Sequence, residues 1–442
     1  MKIQLSDHFN YGRLLRFTLP TIIMMIFTSI YGVVDGIFVS NYAGKTAFAA
    51  INLIMPVTMI IGAIGFMFGT GGCALVAKTM GEGEKKKAGK IFSMLIYISI
   101  VIGIVLSALG FIFIEPVAAL LGAEGQMLKD CATYGRILFP AMTCFILQSE
   151  FQSFFVAVEK PNLGLLVAVC AGVTNIVLDA LFVALFDWGL VGAAVATAIS
   201  QTVGGIVPLL YFIFSKKSLL KLGKPYFDKS SLVKTCINGS SEMMTNISMS
   251  LVNMLYNYQL MKFAGEDGVA AFGVIMYVGF IFVTIFIGYS VGSAPIVSFH
   301  YGAQNLDELK NLFKKSITII GVTSIFMTTL GIMLAGPLSR LFVGYDEALF
   351  DMTKKGFIIY SLSYLFAGIN IYGSSFFTAL NDGPVSAIIS FLRTLLFQVV
   401  SVLVLPLIFD LDGIWFALVV AEIMAIIVTS GFLITKKKKY QY

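Results

Sequence analysis

The sequence predicts an all-α integral membrane protein whose twelve transmembrane helices form two related bundles of six. Three observations support this fold class. Of the 442 residues, 58% are hydrophobic and only 12% are charged, which is far from the composition of soluble domains. Apolar runs of about twenty residues or more recur along the whole chain. The two halves also share a sequence pattern that recurs at a fixed spacing.

The apolar runs fall into two sets of six, separated by charged or turn-forming segments. The first set covers residues 14–40, 46–78, 91–114, 132–157, 163–186 and 190–214. The second set covers residues 235–262, 268–299, 316–336, 356–380, 384–409 and 413–434. We therefore predict an N-terminal lobe over residues 1–214, a cytoplasmic linker over 215–234 and a C-terminal lobe over 235–442.

The basic residues predict the orientation of the chain in the membrane. With the N-terminus placed in the cytoplasm, 22 of the 30 Lys and Arg residues fall on the cytoplasmic side and seven outside. Short cytoplasmic loops carry such an excess in multi-pass proteins. We therefore expect a multi-pass protein of the plasma or inner membrane with both termini cytoplasmic. The basic tail Lys436–Lys439 flanks a helix end and needs no nucleic-acid partner.

The internal repeat predicts how the two halves are related. Gly44 begins the segment Gly-Lys-Thr-Ala-Phe-Ala-Ala, and Gly265 begins Gly-Glu-Asp-Gly-Val-Ala-Ala in the second half. The distance along the chain between these two glycines, which we call the repeat spacing, also relates Gly81 to Gly302. Because each half has an even number of crossings, both insert the same way up around a pseudo-twofold axis along the membrane normal. Folds of this kind leave a central cleft, and rocking of the halves opens it to alternate sides.

Four polar side chains of the first half are candidates for an ion-coupling site. They are Asp35 in the first run, Asn175 and Asp179 one turn apart in the fifth, and Thr197 in the sixth. At about 1.5 Å per residue, all four fall roughly 8–17 Å below the outer surface. Two carboxylates in one layer repel unless a proton or a small cation is shared. Oxygen ligands suit Na⁺ or H⁺ better than zinc or copper.

The second half provides an internal control for this interpretation. The alternative is that the four residues only hydrogen-bond helices together. A polar cluster required by the fold is expected in both copies. The positions that the repeat spacing relates to these four, however, hold Tyr256, Leu396, Val400 and Leu418. This loss favours a functional role.

Further polar residues inside the predicted helices are candidates for lining a substrate cavity. They are Gln148, Glu150, Gln152, Glu242, Asn257 and Arg393. An ionisable group in the membrane needs a partner, a water-filled cavity or a function. Glu150 could equally pair with Arg393 across the lobes or be a buried protonated acid. Glu242 and Glu422 could also lie close to a membrane surface.

Motifs for other classes of activity are missing from the sequence. It contains no nucleophile elbow, phosphate-binding loop or paired-histidine zinc motif. An enzyme and an ATP-driven pump are therefore unsupported. We expect no cofactor apart from a coupling Na⁺ or H⁺. The expected partners are a small amphiphilic or cationic substrate and the lipid bilayer, but no nucleic acid, and the expected functional unit is a monomer.

The chain resembles the multidrug and toxic compound extrusion (MATE) family along nearly its whole length, and within it the bacterial MepA-like and DinF-related type. The residues that carry the resemblance are Leu19-Pro20, Val34-Asp35, Gly71 to Gly81, Asn175 with Asp179, and Gly192 to Thr197. The resemblance implies that Asp35, Asn175, Asp179 and Thr197 form a cation site, which would hold Na⁺ as a metal ion or take up H⁺. It also implies antiport, in which Na⁺ or H⁺ binding drives the export of organic cations or amphiphilic drugs by alternating access.

Many family members carry acidic residues deep in the seventh and tenth runs. Here the tenth run has no central carboxylate, so no second-lobe cation site is expected.

Two alternative functions remain open at this point. A lipid-linked saccharide flippase of the same superfamily would need a larger basic cavity, and Arg393 is the only basic residue within the helix interiors. A passive channel or a membrane enzyme is the remaining alternative.

Overall fold

The computed structural model describes residues 3–215 and 218–442 as a set of long helices. Lys2, Lys216 and Lys217, which contribute to the charge distribution above, lie outside these described residues. The helices of the first half are α1 Tyr11–Phe38, α2 Lys45–Gly81, α3 Lys85–Leu120, α4 Gly125–Leu138, α5 Met142–Ala157, α6 Pro161–Asp179 and α7 Gly189–Phe214. Those of the second half are α8 Lys229–Gly302, α9 Leu306–Val343, α10 Glu347–Ser361, α11 Tyr364–Ala379, α12 Gly383–Phe391, α13 Phe397–Val404, α14 Pro406–Thr435 and α15 Lys437–Tyr440.

These helices make twelve membrane crossings. Within the described part of the chain, nine helices are individually long and apolar enough to span a bilayer. One of them, α8, has 74 residues and contains two crossings, because the backbone leaves the helical conformation at Gly265 (φ 62°, ψ −149°). The bent pair α10 and α11 forms another crossing. We assign the last to α4 with α5, which are joined by a single 3₁₀ turn. The predicted fold class is confirmed.

Several crossings are broken in ways that the apolar runs did not predict. The fourth crossing is interrupted by a 3₁₀ turn, Phe139–Ala141, which contains Pro140. The tenth bends by 46° between α10 and α11. The chain reverses between the eleventh and twelfth crossings at Asp410, which has φ 50°. Hydropathy reports the apolar length of a segment and not its backbone direction, so these breaks stay hidden in the sequence.

The helix starts follow from short polar residues that cap free backbone amides. The side chain of Asn10 accepts a hydrogen bond from the Arg13 amide at 2.8 Å and begins α1. Asp228 begins α8 by accepting from the Ser230 amide at 3.0 Å. Asp228 lies outside the membrane-spanning segments, and the hydrogen bond from the Ser231 hydroxyl lowers the pKa of its carboxyl group.

The first bundle is packed around aromatic rings and presents aliphatic side chains outward. The ring of Phe92 on α3 lies 4.9 Å from the rings of both Phe154 on α5 and Phe212 on α7. On the outer face of α3, Val101 and Ile112 are 61% and 63% exposed. Exposed aliphatic residues along a long apolar helix are the surface expected to contact lipid.

The two bundles meet where α2 and α8 end, at the end of the molecule that carries Lys78 and Lys85; we call this the basic end. At this contact, a Cβ added to Gly81 would overlap the carbonyl oxygen of Phe299, and one added to Gly302 would overlap that of Lys78. The repeat spacing relates Gly81 to Gly302 and likewise Lys78 to Phe299. The repeat predicted from the sequence is therefore visible as a symmetric contact between backbones.

The same two helix segments have no comparable contact at the glycines that precede them. Gly44 precedes α2 and Gly265 precedes the second part of α8, and an added Cβ at either position would have no described neighbour within 4 Å. The close backbone contact at Gly81 and Gly302 therefore has no counterpart at Gly44 and Gly265. The two bundles are closed against each other at the basic end.

The N-terminal segment, residues 3–9, strengthens this closure. The Leu5 amide donates to the Glu159 carboxylate in the first bundle at 3.0 Å. The Phe9 amide donates to Glu308 at the start of α9 at 2.9 Å. Lys315 on α9 donates to the Phe9 carbonyl at 2.8 Å. A single short segment thus connects both bundles across the basic end.

Candidate functional site

The four predicted ion-coupling residues lie on three neighbouring helices of the first bundle. Asp35 is in the last turn of α1, and Asn175 and Asp179 are in the last two turns of α6. Thr197 is in the third turn of α7, which packs against α6 as α6 packs against α1. The condition that these helices be neighbours, which the sequence leaves open, is therefore met.

Irregular helix geometry occurs directly after both acidic residues. A π-helical turn, Val39–Ala43, follows α1 just beyond Asp35. Another, Ala180–Leu185, starts at the residue after Asp179. A π-helical turn adds a residue to the helix, and such turns are frequent at functional sites. A third one in the described chain, Leu392–Leu396, contains Arg393.

The two carboxylates are close enough to interact, and Asp35 also interacts with the Asn175 amide. Asp179 is fully buried and Asn175 is 2% exposed, whereas Asp35 and Thr197 are half-buried. One carboxylate oxygen of Asp35, both oxygens of Asp179, both polar atoms of the Asn175 amide and the Thr197 hydroxyl have no hydrogen-bond partner among the described residues. These atoms are near one another but not in hydrogen-bonding geometry.

Such a cluster requires a charge or hydrogen-bond partner from outside the chain. Buried polar atoms are nearly always satisfied, and two buried carboxylates cannot both stay charged without compensation. A proton shared between Asp35 and Asp179 removes one charge. A Na⁺ ion fits equally well. The carboxylate, amide and hydroxyl oxygens of the cluster are all hard oxygen ligands, and only the amide nitrogen is not. The residues present therefore suit either coupling ion.

Sequence reasoning missed two tyrosines beside this cluster. Tyr134 on α4 interacts with the Thr197 hydroxyl and with both carboxylates. Tyr31, one turn before Asp35, interacts with it and with Gln148. Both tyrosines could have been identified from the sequence, because their hydroxyl groups lie inside apolar runs; Tyr134 is at the outer end of the fourth. They were missed because tyrosine was not considered among the polar candidates.

The second bundle contains the larger cavity, which has an empty volume of about 1410 Å³ including its mouth. It is lined mainly by α8, α10 to α14 and the π-helical turn between α12 and α13, with a few residues from α2 and α5. The stacked rings of Tyr256 and Phe272, 4.9 Å apart, and Tyr360 form part of its wall.

An ion pair lies in the wall of this cavity. The guanidinium of Arg393 donates to both oxygens of Glu422, with Nε at 2.9 and 3.0 Å and Nη2 at 2.8 Å. The Asn370 amide donates to the same carboxylate at 2.7 Å and to the Glu422 carbonyl at 3.0 Å. Glu422 is 2% exposed and Arg393 15%. The alternative that Arg393 pairs with Glu150 is therefore wrong, and Glu422 is buried inside the bundle.

The six predicted cavity residues lie at several places. Glu242 and Arg393 line the large cavity. Gln148 and Gln152 line a separate pocket of about 200 Å³ between α5, α6 and α7. Glu150 is fully buried and its carboxylate has no hydrogen-bond partner in the described part of the chain. Asn257 is exposed on α8 and lines neither cavity.

Known proteins with similar sequences are exporters. The chain is 24% identical over 416 residues to the multidrug export protein MepA of Staphylococcus aureus, covering 93% of this chain and 91% of that protein. It is also 24% identical over 410 residues to MepA of Staphylococcus saprophyticus, covering 91% and 87%. These relatives span nearly the whole chain.

Solved structures share the fold at lower sequence identity. An outward-facing multidrug resistance MATE transporter of the MOP superfamily superposes with a TM-score of 0.93 at 21% identity, covering 100% of this chain and 98% of that one. A MOP superfamily transporter from Pyrococcus furiosus, described as having a binding pocket of reverse polarity, gives 0.90 at 21% identity, covering 98% of each chain.

The characteristic sequence pattern of the MatE family matches this chain twice. The matches cover residues 20–181 and residues 243–404. They fall in the two halves that the internal repeat relates, and together they include most of the chain. The relatives and structures described above are transporters, not enzymes. The chain therefore belongs to the MatE family of multi-pass membrane transporters.

Proposed function

We propose that the protein exports organic cations and cationic amphiphiles by alternating access, in exchange for Na⁺ or H⁺ entering at Asp35 and Asp179. One observation carries the proposal: buried carboxylates without partners lie in one bundle, and a large cavity with acidic and aromatic lining lies in the other. The first arrangement suits a small cation or a proton, and the second suits a larger cation with an apolar body.

The mechanism requires ion and substrate to favour different conformations. The ion neutralises the Asp35 and Asp179 pair and so favours the arrangement of α1, α6 and α7 in which the two side chains are close. Export results if this arrangement has a lower affinity for substrate than the opposite-facing state. A ligand shifts a conformational equilibrium only by the difference between its affinities for the two states.

The proposed direction of transport rests on the charge distribution. If the basic end is cytoplasmic, as the excess of Lys and Arg there suggests, the bundles are closed against each other on the cytoplasmic side, and the proposed cleft opens towards the outside. Substrate then leaves from this conformation and enters from the one in which the contact at Gly81 is broken. We further propose the plasma or inner membrane as the location, cytoplasmic termini and a monomer as the functional unit.

The proposed substrate class rests on the cavity and on the relatives. The MepA relatives are multidrug export proteins, and the ionisable groups lining the large cavity, Glu242, Arg393 and Glu422, include two acids and one base. A saccharide linked to a lipid phosphate is anionic and is repelled by such a lining. Cation export therefore fits this cavity better than the flippase alternative.

The test is transport of tetraphenylphosphonium in proteoliposomes under Na⁺ and H⁺ gradients imposed separately. With the membrane potential clamped, we expect uptake against the concentration gradient of tetraphenylphosphonium when one of the two ion gradients is directed outward, and only passive equilibration in protein-free liposomes. The active gradient identifies the coupling ion. Downhill movement of tetraphenylphosphonium that neither gradient changes would indicate a channel or uniporter, and no movement at all would exclude cation export.

A further inference from the structure

The large cavity of the second bundle has a net charge that its own residues define. Three of its lining residues are acidic or basic: Glu242, Arg393 and Glu422. Two are acidic and one is basic, so the lining has a net charge of minus one when all three are ionised. Charges in a water-poor, low-dielectric cavity act more strongly than at a surface, and a bound ion must compensate them closely.

Arg393 and Glu422 form a unit that is already satisfied. The guanidinium donates to both carboxylate oxygens at 2.8–3.0 Å, and the Asn370 amide at 2.7 Å occupies a further acceptor position on Glu422. Paired, buried charges of this geometry are costly to separate. A ligand that binds in the cavity therefore meets this pair as a neutral group with its guanidinium side partly exposed.

Glu242 differs from Glu422, because its carboxylate has no ion-pair partner among the described residues. It is half-buried on the first part of α8, and the structure gives its carboxylate no hydrogen bond or ion pair with any described residue. Arg393 is close enough to interact with it but is bonded to Glu422. The aromatic rings of Tyr256, Phe272 and Tyr360 line the same cavity. A carboxylate with neighbouring aromatic faces suits a flat organic cation.

We propose that Arg393 determines substrate specificity: by neutralising Glu422 it leaves Glu242 as the single counter-charge, so that the cavity selects cations with one positive charge. This inference rests on the proposed export of organic cations. A monocation brings the net charge of the cavity to zero. A dication leaves one positive charge uncompensated, and burying an uncompensated charge is costly.

The test compares two dyes with the same phenanthridinium ring system, ethidium with one positive charge and propidium with two. Binding to the purified protein is measured by dye fluorescence, which needs no ion gradient. We expect Arg393→Gln to shift the ratio of propidium to ethidium affinity towards propidium by roughly tenfold or more, because Glu422, no longer paired with Arg393, becomes available to compensate a second positive charge. The ratio is compared between variants, so the difference in dye size cancels.

A second variant separates the charge effect from a structural one. Arg393→Gln combined with Glu422→Gln removes the ion pair but restores the net charge of minus one, and we expect the wild-type ratio to return. Glu242→Gln is expected to weaken the binding of both dyes. Arg340→Gln is the matched control, because Arg340 is exposed on α9, lies outside the cavity and is expected to leave the ratio unchanged.

Failure of this inference and failure of the proposed function give different results. An unchanged ratio in Arg393→Gln, or a double variant that keeps the ratio of the single variant, would overturn charge selection by Arg393 while leaving cation export intact. A wild-type protein that neither binds nor transports either dye would overturn the proposed function itself.

Discussion

Asp179→Asn is expected to abolish gradient-driven export while the protein still folds and inserts into the membrane. Asn has nearly the same shape as Asp but cannot carry a negative charge or release a proton at neutral pH. Asp179 is fully buried, and the carboxyl group of Asp35 is close enough to interact with it. Without the second carboxylate, the cluster has no repulsion for an ion to relieve. The coupling free energy, typically about 1–3 kcal/mol between linked sites, is lost.

The measurement is uptake of tetraphenylphosphonium in proteoliposomes with the active ion gradient imposed. Asp187→Asn is the matched control, because Asp187 is exposed in the connection between α6 and α7, outside the cluster. Its φ of 55° is a conformation that Asn adopts as readily as Asp. Uphill uptake at the wild-type rate by Asp179→Asn would remove Asp179 from the coupling mechanism.

Gly81→Ala and Gly302→Ala are expected to prevent closure of the basic end. At both positions a methyl group would overlap a backbone carbonyl of the opposite bundle, Phe299 for Gly81 and Lys78 for Gly302. Backbone cannot move aside as a flexible side chain can, so the bundles must separate. Because the closed conformation is one of the two states that transport needs, both substitutions should strongly reduce export.

Separation of the bundles is measured directly by electron spin resonance. Spin labels on Lys86 and Asp307, which are exposed at the starts of α3 and α9, report the distance across the basic end in a background without native cysteines. We expect a longer distance in Gly81→Ala than in the parent protein. Gly89→Ala on α3 is the control, since a methyl group there has no described neighbour within 4 Å. Equal distances in all three proteins would contradict the proposed role of the glycine contact.

The twelve crossings were predictable because each needs a long apolar run, and such runs are visible without tertiary contacts. The repeat also predicted the symmetry between the two bundles. The spacing that relates Gly81 to Gly302 also relates their contact partners, Lys78 and Phe299. Hydropathy alone does not reveal the break at Pro140 or the bend between α10 and α11, because it reports the apolar length of a segment and not the direction of its backbone.

The candidate site was predictable where a single helix carries the information. Helical periodicity places Asn175 and Asp179 on one face of a helix. The corresponding positions of the second half lack polar residues, and this difference indicated that the polar residues of the first half have a function. The bond between Arg393 and Glu422 depends on packing of the π-helical turn against α14, which no local pattern encodes. The lobe boundaries, the ion-coupling role and the cavity role of the polar residues stay predictions.

The separation of the two candidate sites has a kinetic consequence. The proposed ion-coupling residues are on α1, α6 and α7, whereas the large cavity is formed mainly by the second bundle, so the two proposed sites do not occupy the same space. When two ligands compete for one site, the apparent dissociation constant of one rises without limit as the concentration of the other increases. Ligands linked only through a conformational equilibrium raise it to a plateau set by the coupling factor. Raising the coupling ion concentration should therefore weaken substrate binding up to a ceiling, above which more ion has no further effect.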